Sequence, residues 1–178
     1  MFMRNLAVTG SLSLLFSACA LAQQGPGLGE PISEADLAPW DISIETNGDG
    51  LPPGSGTVAE GQAIYEAQCL ACHGTEGSDG LNDRLVGGHG TLADASPART
   101  IGSFWPYAST VFDYIRRAMP FNTPQTLTDD EVYAVTAYLL HLNGIIDADT
   151  RLNARRLSRI EMPNADGFIL AYPSVVGE

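Results

Sequence analysis

Two cysteines three residues apart and the histidine that follows them, Cys69-Leu70-Ala71-Cys72-His73, leave this chain few ways to fold. Residues three apart lie on one face of a helical turn, so both sulfurs can reach the two vinyl groups on one edge of a porphyrin. The adjoining imidazole of His73 then projects toward the iron as its proximal ligand. A dithiol redox site would be expected beside a βαβ pattern, and none surrounds these cysteines. A zinc site needs a fourth ligand; His89 is available, but the second half of a usual zinc signature is missing. Two buried structural cysteines would leave the adjacent histidine unexplained. The motif therefore predicts one covalently attached haem c per chain, held by Cys69 and Cys72 and ligated by His73.

At 178 residues the chain is expected to form one domain with extensions. Arg4, the apolar run Leu12 to Leu21 and the small-x-small sequence Ala20-Leu21-Ala22 read as a signal peptide over 1–22, too short to span a bilayer. Cleavage there removes Cys19 and leaves Cys69 and Cys72 as the only cysteines. Lipid anchoring through Cys19 is the lesser alternative, because Phe16 stands where a lipoprotein box usually has Leu. Export to the periplasm agrees with haem attachment, which takes place on the far side of the bacterial inner membrane. There are 9 arginines and no lysine against 21 acids, a net charge of −12. Such an acidic surface argues against nucleic acid and against anionic membranes as partners, and suits steering toward a basic protein patch.

Residues 23–56 are rich in Gly, Pro and acids, and read as an irregular N-terminal arm anchored at Trp40. Asn47-Gly48-Asp49-Gly50 has no glutamate at the twelfth position of a calcium loop, and Gly54-Ser55-Gly56-Thr57 has no lysine of a phosphate loop. Thr57 and Glu60 form a capping box that predicts a helix running to the cysteines, with Gly61 and Tyr65 on one face. Residues 74–100 read as a glycine-rich loop, whose length is acceptable if it wraps a haem. A second helix is expected from about Ser109 to Ala118, ended by Pro120. A third is capped by Thr128 with Glu131 and carries the stripe Val132, Val135, Tyr138, Leu139 and Leu142. It stops at Asn143-Gly144. Residues 145–178 show little periodicity and read as an irregular C-terminal extension, leaving a domain over 57–144. The expected class is all-α.

A haem held by one histidine carries electrons, binds a gas or activates peroxide according to what occupies its distal position. Met119, at the end of the second helix and backed by Pro120, is the expected sixth ligand; a Met-Pro at a helix end is awkward for plain packing. His89, flanked by Gly88 and Gly90, is the runner-up. His141 is expected to face solvent, and Met162 would need the C-terminal arm to fold back. Arg84, Arg99, Trp105 and Tyr107 are candidate donors to the haem propionates. Arg116-Arg117 mark either a docking spot or a favourable helix C-terminus, and the second needs nothing extra.

The haem motif, Gly61 with Tyr65, Met119-Pro120 and the capped helix containing Tyr138 make residues 57–144 resemble a class I cytochrome c. In that fold the first and last helices cross, which would bring Gly61 and Tyr65 against Tyr138. Several stretches are similar to the cytochrome subunit of the sulfane dehydrogenase in the Sox sulfur-oxidising system: Gly50-Leu51-Pro52-Pro53-Gly54-Ser55-Gly56, Arg84-Leu85-Val86-Gly87-Gly88, Trp105-Pro106-Tyr107, Asp113 through Phe121, and Met162-Pro163-Asn164. The resemblance implies that Cys69, Cys72, His73 and Met119 hold the haem. It also implies a partner, a molybdenum-cofactor dehydrogenase subunit of the sulfite-oxidase type, with a downstream cytochrome or oxidase as acceptor. Members often carry a second haem, whereas this chain has one C-x-x-C-H, which leaves the electron exit route open and fits a related single-haem acceptor for a sulfite dehydrogenase equally well. The expected role is electron transfer without substrate chemistry. A free-standing soluble carrier is the alternative, a haem-based ligand sensor a lesser one, and a peroxidase would have only His89 as a distal acid/base group.

Overall fold

A computed structural model describes residues 28–169 together with 171 and 172. The signal peptide and Cys19 lie outside the described residues. The chain divides after Ile42 into two units. In the first, Ser33 and Asp36 form a capping box that opens the single turn α1 (Glu34–Leu37), which buries none of its residues. Trp40, expected as an anchor, is 83% exposed.

In the second unit, local signals start the long helices where the sequence places them. The Thr57 hydroxyl accepts from the Glu60 amide at 3.2 Å while the Glu60 carboxylate accepts from the Thr57 amide at 2.7 Å, opening α2 (Val58–Gln68). Thr128 and Glu131 repeat this arrangement at the start of α5 (Asp129–Leu142), whose first turn also carries Asp129 and Asp130. Between them, α3 (Leu70–His73) follows α2 directly, and α4 (Ala108–Ala118) ends where Met119 turns to extended backbone before Pro120. Residues 74–99 contain no α-helix, only a 3-10 turn at Thr91–Ala93.

The crossing of α2 and α5 rests on the missing side chain of Gly61. A Cβ there would collide with the carbonyl of Ala134 and come within 2.9 Å of the Tyr138 Cβ. One turn on, the Tyr65 ring meets Tyr138 at 5.3 Å between centroids. Helix α5 is also packed by α4, by the short strand β1 (Ser55–Thr57) and by β2 (Arg151–Asn153). It is therefore buried almost all round: Tyr133, Ala134, Thr136, Ala137 and Leu140 join the expected stripe, whereas Leu142 is only half-buried. The Phe112 ring of α4 lies 4.5 Å from that of Tyr133.

Both supposed extensions depart from expectation. Strands β1 and β2 pair antiparallel, with Ser55 opposite Asn153, Gly56 opposite Leu152 and Thr57 opposite Arg151. One further turn, α6 (Ala154–Leu157), follows, and Leu152, Leu157 and Met162 are all buried in the same core as α5. On the N-terminal side, the Pro52 carbonyl accepts from the Tyr133 hydroxyl and the Thr46 carbonyl from the Ser109 hydroxyl, each at 2.8 Å. The irregular arms are thus partly core-forming, and the helical domain carries a two-stranded ribbon. Strands of three residues are too short to show an alternating period, which is why the sequence pattern hides them.

Candidate functional site

Cys69 closes α2 and opens α3, so both cysteines and the histidine sit on one continuous turn. The amides of Cys72 and His73 donate to the Cys69 carbonyl at 3.1 and 3.0 Å. The turn is fixed at both ends. The hydroxyl of Tyr65, fully buried under Tyr138, donates to the Gly74 carbonyl at 2.8 Å. Gly74 itself has φ +81°, and a Cβ there would collide with the Asp79 carboxylate. Cys69 and Cys72 form no disulfide with each other. Cys69 is half-buried, and burial together with the neighbouring Cys72 pushes its thiol up to about 11; Cys72 is exposed.

The loop that leaves this turn folds back on it. The Asn82 amide donates to the Cys72 carbonyl at 2.9 Å, and the Asp83 carbonyl lies 2.9 Å from His73 Nδ1. A carbonyl can only accept, so Nδ1 carries the proton and Nε2 keeps its lone pair for a metal. This is the tautomer and orientation that an iron-ligating histidine needs. Two sulfurs on one turn, a half-buried imidazole with Nε2 available and a loop without α-helix beside them fit a covalently held haem. Among the described residues no three His, Cys, Asp or Glu side chains group to hold a bare metal ion, so His89 does not complete a zinc site with the cysteines.

Met119 caps α4, its amide donating to the Ile115 carbonyl at 3.0 Å, and its half-buried side chain packs against the core. Met162 is 4% exposed within the core. His89 is exposed, between glycines with φ of +73° and +77°. His141 departs from its expected solvent-facing place: it is half-buried, with Nδ1 3.1 Å from the Ile146 carbonyl. Of the propionate candidates, Arg84 is exposed, and Arg99 is exposed with its guanidinium 5.6 Å from the Phe104 ring centroid. The half-buried Trp105 meets Tyr114 edge-on at 5.7 Å, and Tyr107 bridges to Glu161. Arg116 and Arg117 pair with Asp129 and Asp113 at 3.1 and 2.7 Å, which answers much of their charge within the domain.

Sequence reasoning treated Asn143 only as a helix stop. Its side chain is buried and donates to the carbonyls of Leu139, at 2.8 Å, and Leu85, at 3.2 Å, while accepting from the Gly87 amide at 3.2 Å. One residue thereby ties the end of α5 to the glycine-rich loop. Thr100 adds a second tie, donating to the Gly87 carbonyl at 2.6 Å. An Asn before Gly is so common at helix ends that its wider reach carried no separate signal.

The family model described as cytochrome C oxidase, cbb3-type, subunit III, matches residues 56–139. A chain of the crystal structure of the sulfane dehydrogenase SoxCD from Paracoccus pantotrophus is 43% identical. The match has a TM-score of 0.77 and covers 85% of this chain and 73% of that one. A thiosulfate dehydrogenase from Allochromatium vinosum is 28% identical over 101 residues, 56% of this chain and 33% of the relative, so the chain spans about a third of that protein. Photosystem II extrinsic protein V from Microcystis aeruginosa is 28% identical over 120 residues, 60% of this chain and 88% of the relative. With a cytochrome family match over the helical domain and a 43% identical relative spanned over 73% of its length, this chain belongs to the cytochrome c family and is related to the sulfane dehydrogenase SoxCD.

Proposed function

We propose that the chain is a periplasmic mono-haem c-type cytochrome of class I, acting as the electron-accepting subunit or partner of a molybdenum-cofactor dehydrogenase for sulfane or sulfite sulfur. The observation that carries the haem assignment is the single turn bearing Cys69, Cys72 and His73, with the His73 tautomer set by the Asp83 carbonyl. The likeness to SoxCD supports the sulfur assignment. When bound, the haem supplies a one-electron Fe(III)/Fe(II) couple, with no substrate chemistry asked of the protein.

The chain's own residues define how that couple behaves. Cys69 and Cys72 would form the thioethers, so that the group cannot dissociate. His73 would ligate through Nε2, and the Nδ1–H to the Asp83 carbonyl raises the basicity of the ring and stops its rotation. Met119 would supply the second iron ligand, a thioether that would raise the potential and keep exogenous ligands out. The ties from Asn143 and Thr100 hold the glycine-rich loop in one arrangement, which keeps the reorganisation on electron transfer small. The downstream acceptor is another cytochrome or an oxidase. Among the described residues no helix is long and apolar enough to cross a membrane.

The test is reduction of the purified haem-loaded chain by thiosulfate or sulfite with and without the molybdenum-containing fraction of its native periplasm. Reduction that needs that fraction supports the reading. Reduction by neither donor would leave a free-standing carrier, and a chain that releases its haem into acidified solvent would refute covalent attachment.

A further inference from the structure

The C-terminal segment that closes the domain also gathers the chain's cations. Arg151, Arg155, Arg156 and Arg159 lie within nine residues, all exposed, on a chain of net charge −12. The segment is not a loose arm: Leu152 and Leu157 point into the core, so β2 and α6 are anchored and the arginines between them are held outward. Arg151 is engaged inside the domain, donating to the Ser55 hydroxyl at 3.2 Å and lying 3.9 Å from Glu60. The Arg156 guanidinium donates to the Arg151 carbonyl at 3.0 Å, a contact that orients it without neutralising it. Among the described residues Arg155, Arg156 and Arg159 have no ion pair, although the protein has acids in excess. Arg155 and Arg156 sit on α6 and Arg159 in the turn that follows it, all three exposed.

We infer that Arg155, Arg156 and Arg159 form the docking surface for a carboxylate-bearing face of the dehydrogenase subunit; this rests on the function proposed above. Guanidinium forks match carboxylates in paired hydrogen bonds, and arginine is enriched at the centres of protein interfaces. An anionic bilayer offers the same chemistry through phosphates but would also repel the rest of a −12 body. A protein can present carboxylates on one face only. A second copy of this chain meets the same general repulsion. The segment continues to Phe168, Ile169 and Tyr172, which are 53%, 93% and 87% exposed and supply the apolar and aromatic contacts that such an interface also uses.

The test uses the full haem-loaded chain, immobilised and exposed to its native periplasmic extract, with molybdenum and haem quantified in what is retained. Arg155, Arg156 and Arg159 are changed together to Glu, and in a second variant to Gln; Arg151 is left alone because it braces β1. The wild type should retain molybdenum in proportion to haem. The Glu variant should bind about a hundredfold more weakly and the Gln variant should fall between, with unchanged haem spectra and melting temperatures. Equal retention by wild type and variants overturns the docking surface while leaving the function standing. No molybdenum on any form overturns the function and the surface with it. Arginine-dependent binding to phosphatidylglycerol vesicles, or an arginine-dependent dimer in sedimentation without molybdenum capture, would assign the patch to lipid or to a second copy and likewise overturn it.

Discussion

Replacing Leu152 by Ala tests whether the C-terminal segment is part of the domain or an appendage to it. Leu152 is 1% exposed, sits opposite Gly56 in the β1–β2 ribbon and belongs to the same core as Val132, Tyr133 and Leu140. Truncating a buried Leu to Ala costs about 2–5 kcal/mol, from lost burial and the cavity left behind. The backbone pairing of the ribbon survives, since it uses no Leu152 side-chain atom. For a domain of this size each kcal/mol lowers the melting temperature by about 3 °C, so the expected drop is roughly 6–15 °C. Arg155→Ala on the same segment is exposed, and such surface changes stay within about 0.5 kcal/mol. The assay is thermal unfolding of both haem-loaded variants followed by circular dichroism. A Leu152→Ala melting temperature within 2 °C of wild type, matching Arg155→Ala, would refute the packing argument, with 2 °C standing for the roughly 0.5 kcal/mol of a surface change. The same reasoning bears on truncation after Gly144, which removes Leu152, Leu157 and Met162 together. Three buried side chains at about 2–5 kcal/mol each approach or exceed the 5–15 kcal/mol that usually holds a domain folded. The truncated chain is therefore expected to lose its fold, not merely a docking arm.

Gly61→Ala should gain about 1 kcal/mol of helix propensity but lose more, because its Cβ has no room beside the Ala134 carbonyl; a net destabilisation of about 1–3 kcal/mol in urea unfolding is expected. Met119→Ala should lower the reduction potential and let carbon monoxide bind the reduced protein, and an unchanged potential with no carbon monoxide spectrum would remove Met119 from the distal position. The stability contributed by Tyr65 and Tyr133 should be constant between pH 8 and 10 and should fall as pH rises from 10 toward 12. Burial pushes the phenols of Tyr65 and Tyr133 from 10.0 up to about 12, so the folded state holds protons that the unfolded chain releases. Melting temperatures measured between pH 8 and 11.5 check this, and Tyr133→Phe should flatten the high-pH fall.

What the sequence determined by itself is local. The Thr57–Glu60 and Thr128–Glu131 boxes, the turn from Cys69 to His73 and the stop at Pro120 each depend on residues three or four apart, whose geometry one helical turn dictates. The Gly61–Tyr138 crossing was legible too, because a glycine and a tyrosine one turn apart carry a family resemblance as well as a shape. The rest was decided by the tertiary structure. The burial of α5 on every side from Val132 to Leu140 arises because four elements surround it, and its own period shows only one stripe. The return of Leu152, Leu157 and Met162 to the core depends on pairing with a strand nearly a hundred residues earlier, through three-residue pieces with no readable period. The orientation of His73 comes from the Asp83 carbonyl, and the loop is tied down by Asn143 through the amide of Gly87 and the carbonyl of Leu85. Backbone groups are the same in every residue, so the amino-acid sequence cannot label which of them will meet a side chain; only the folded path of the loop does that.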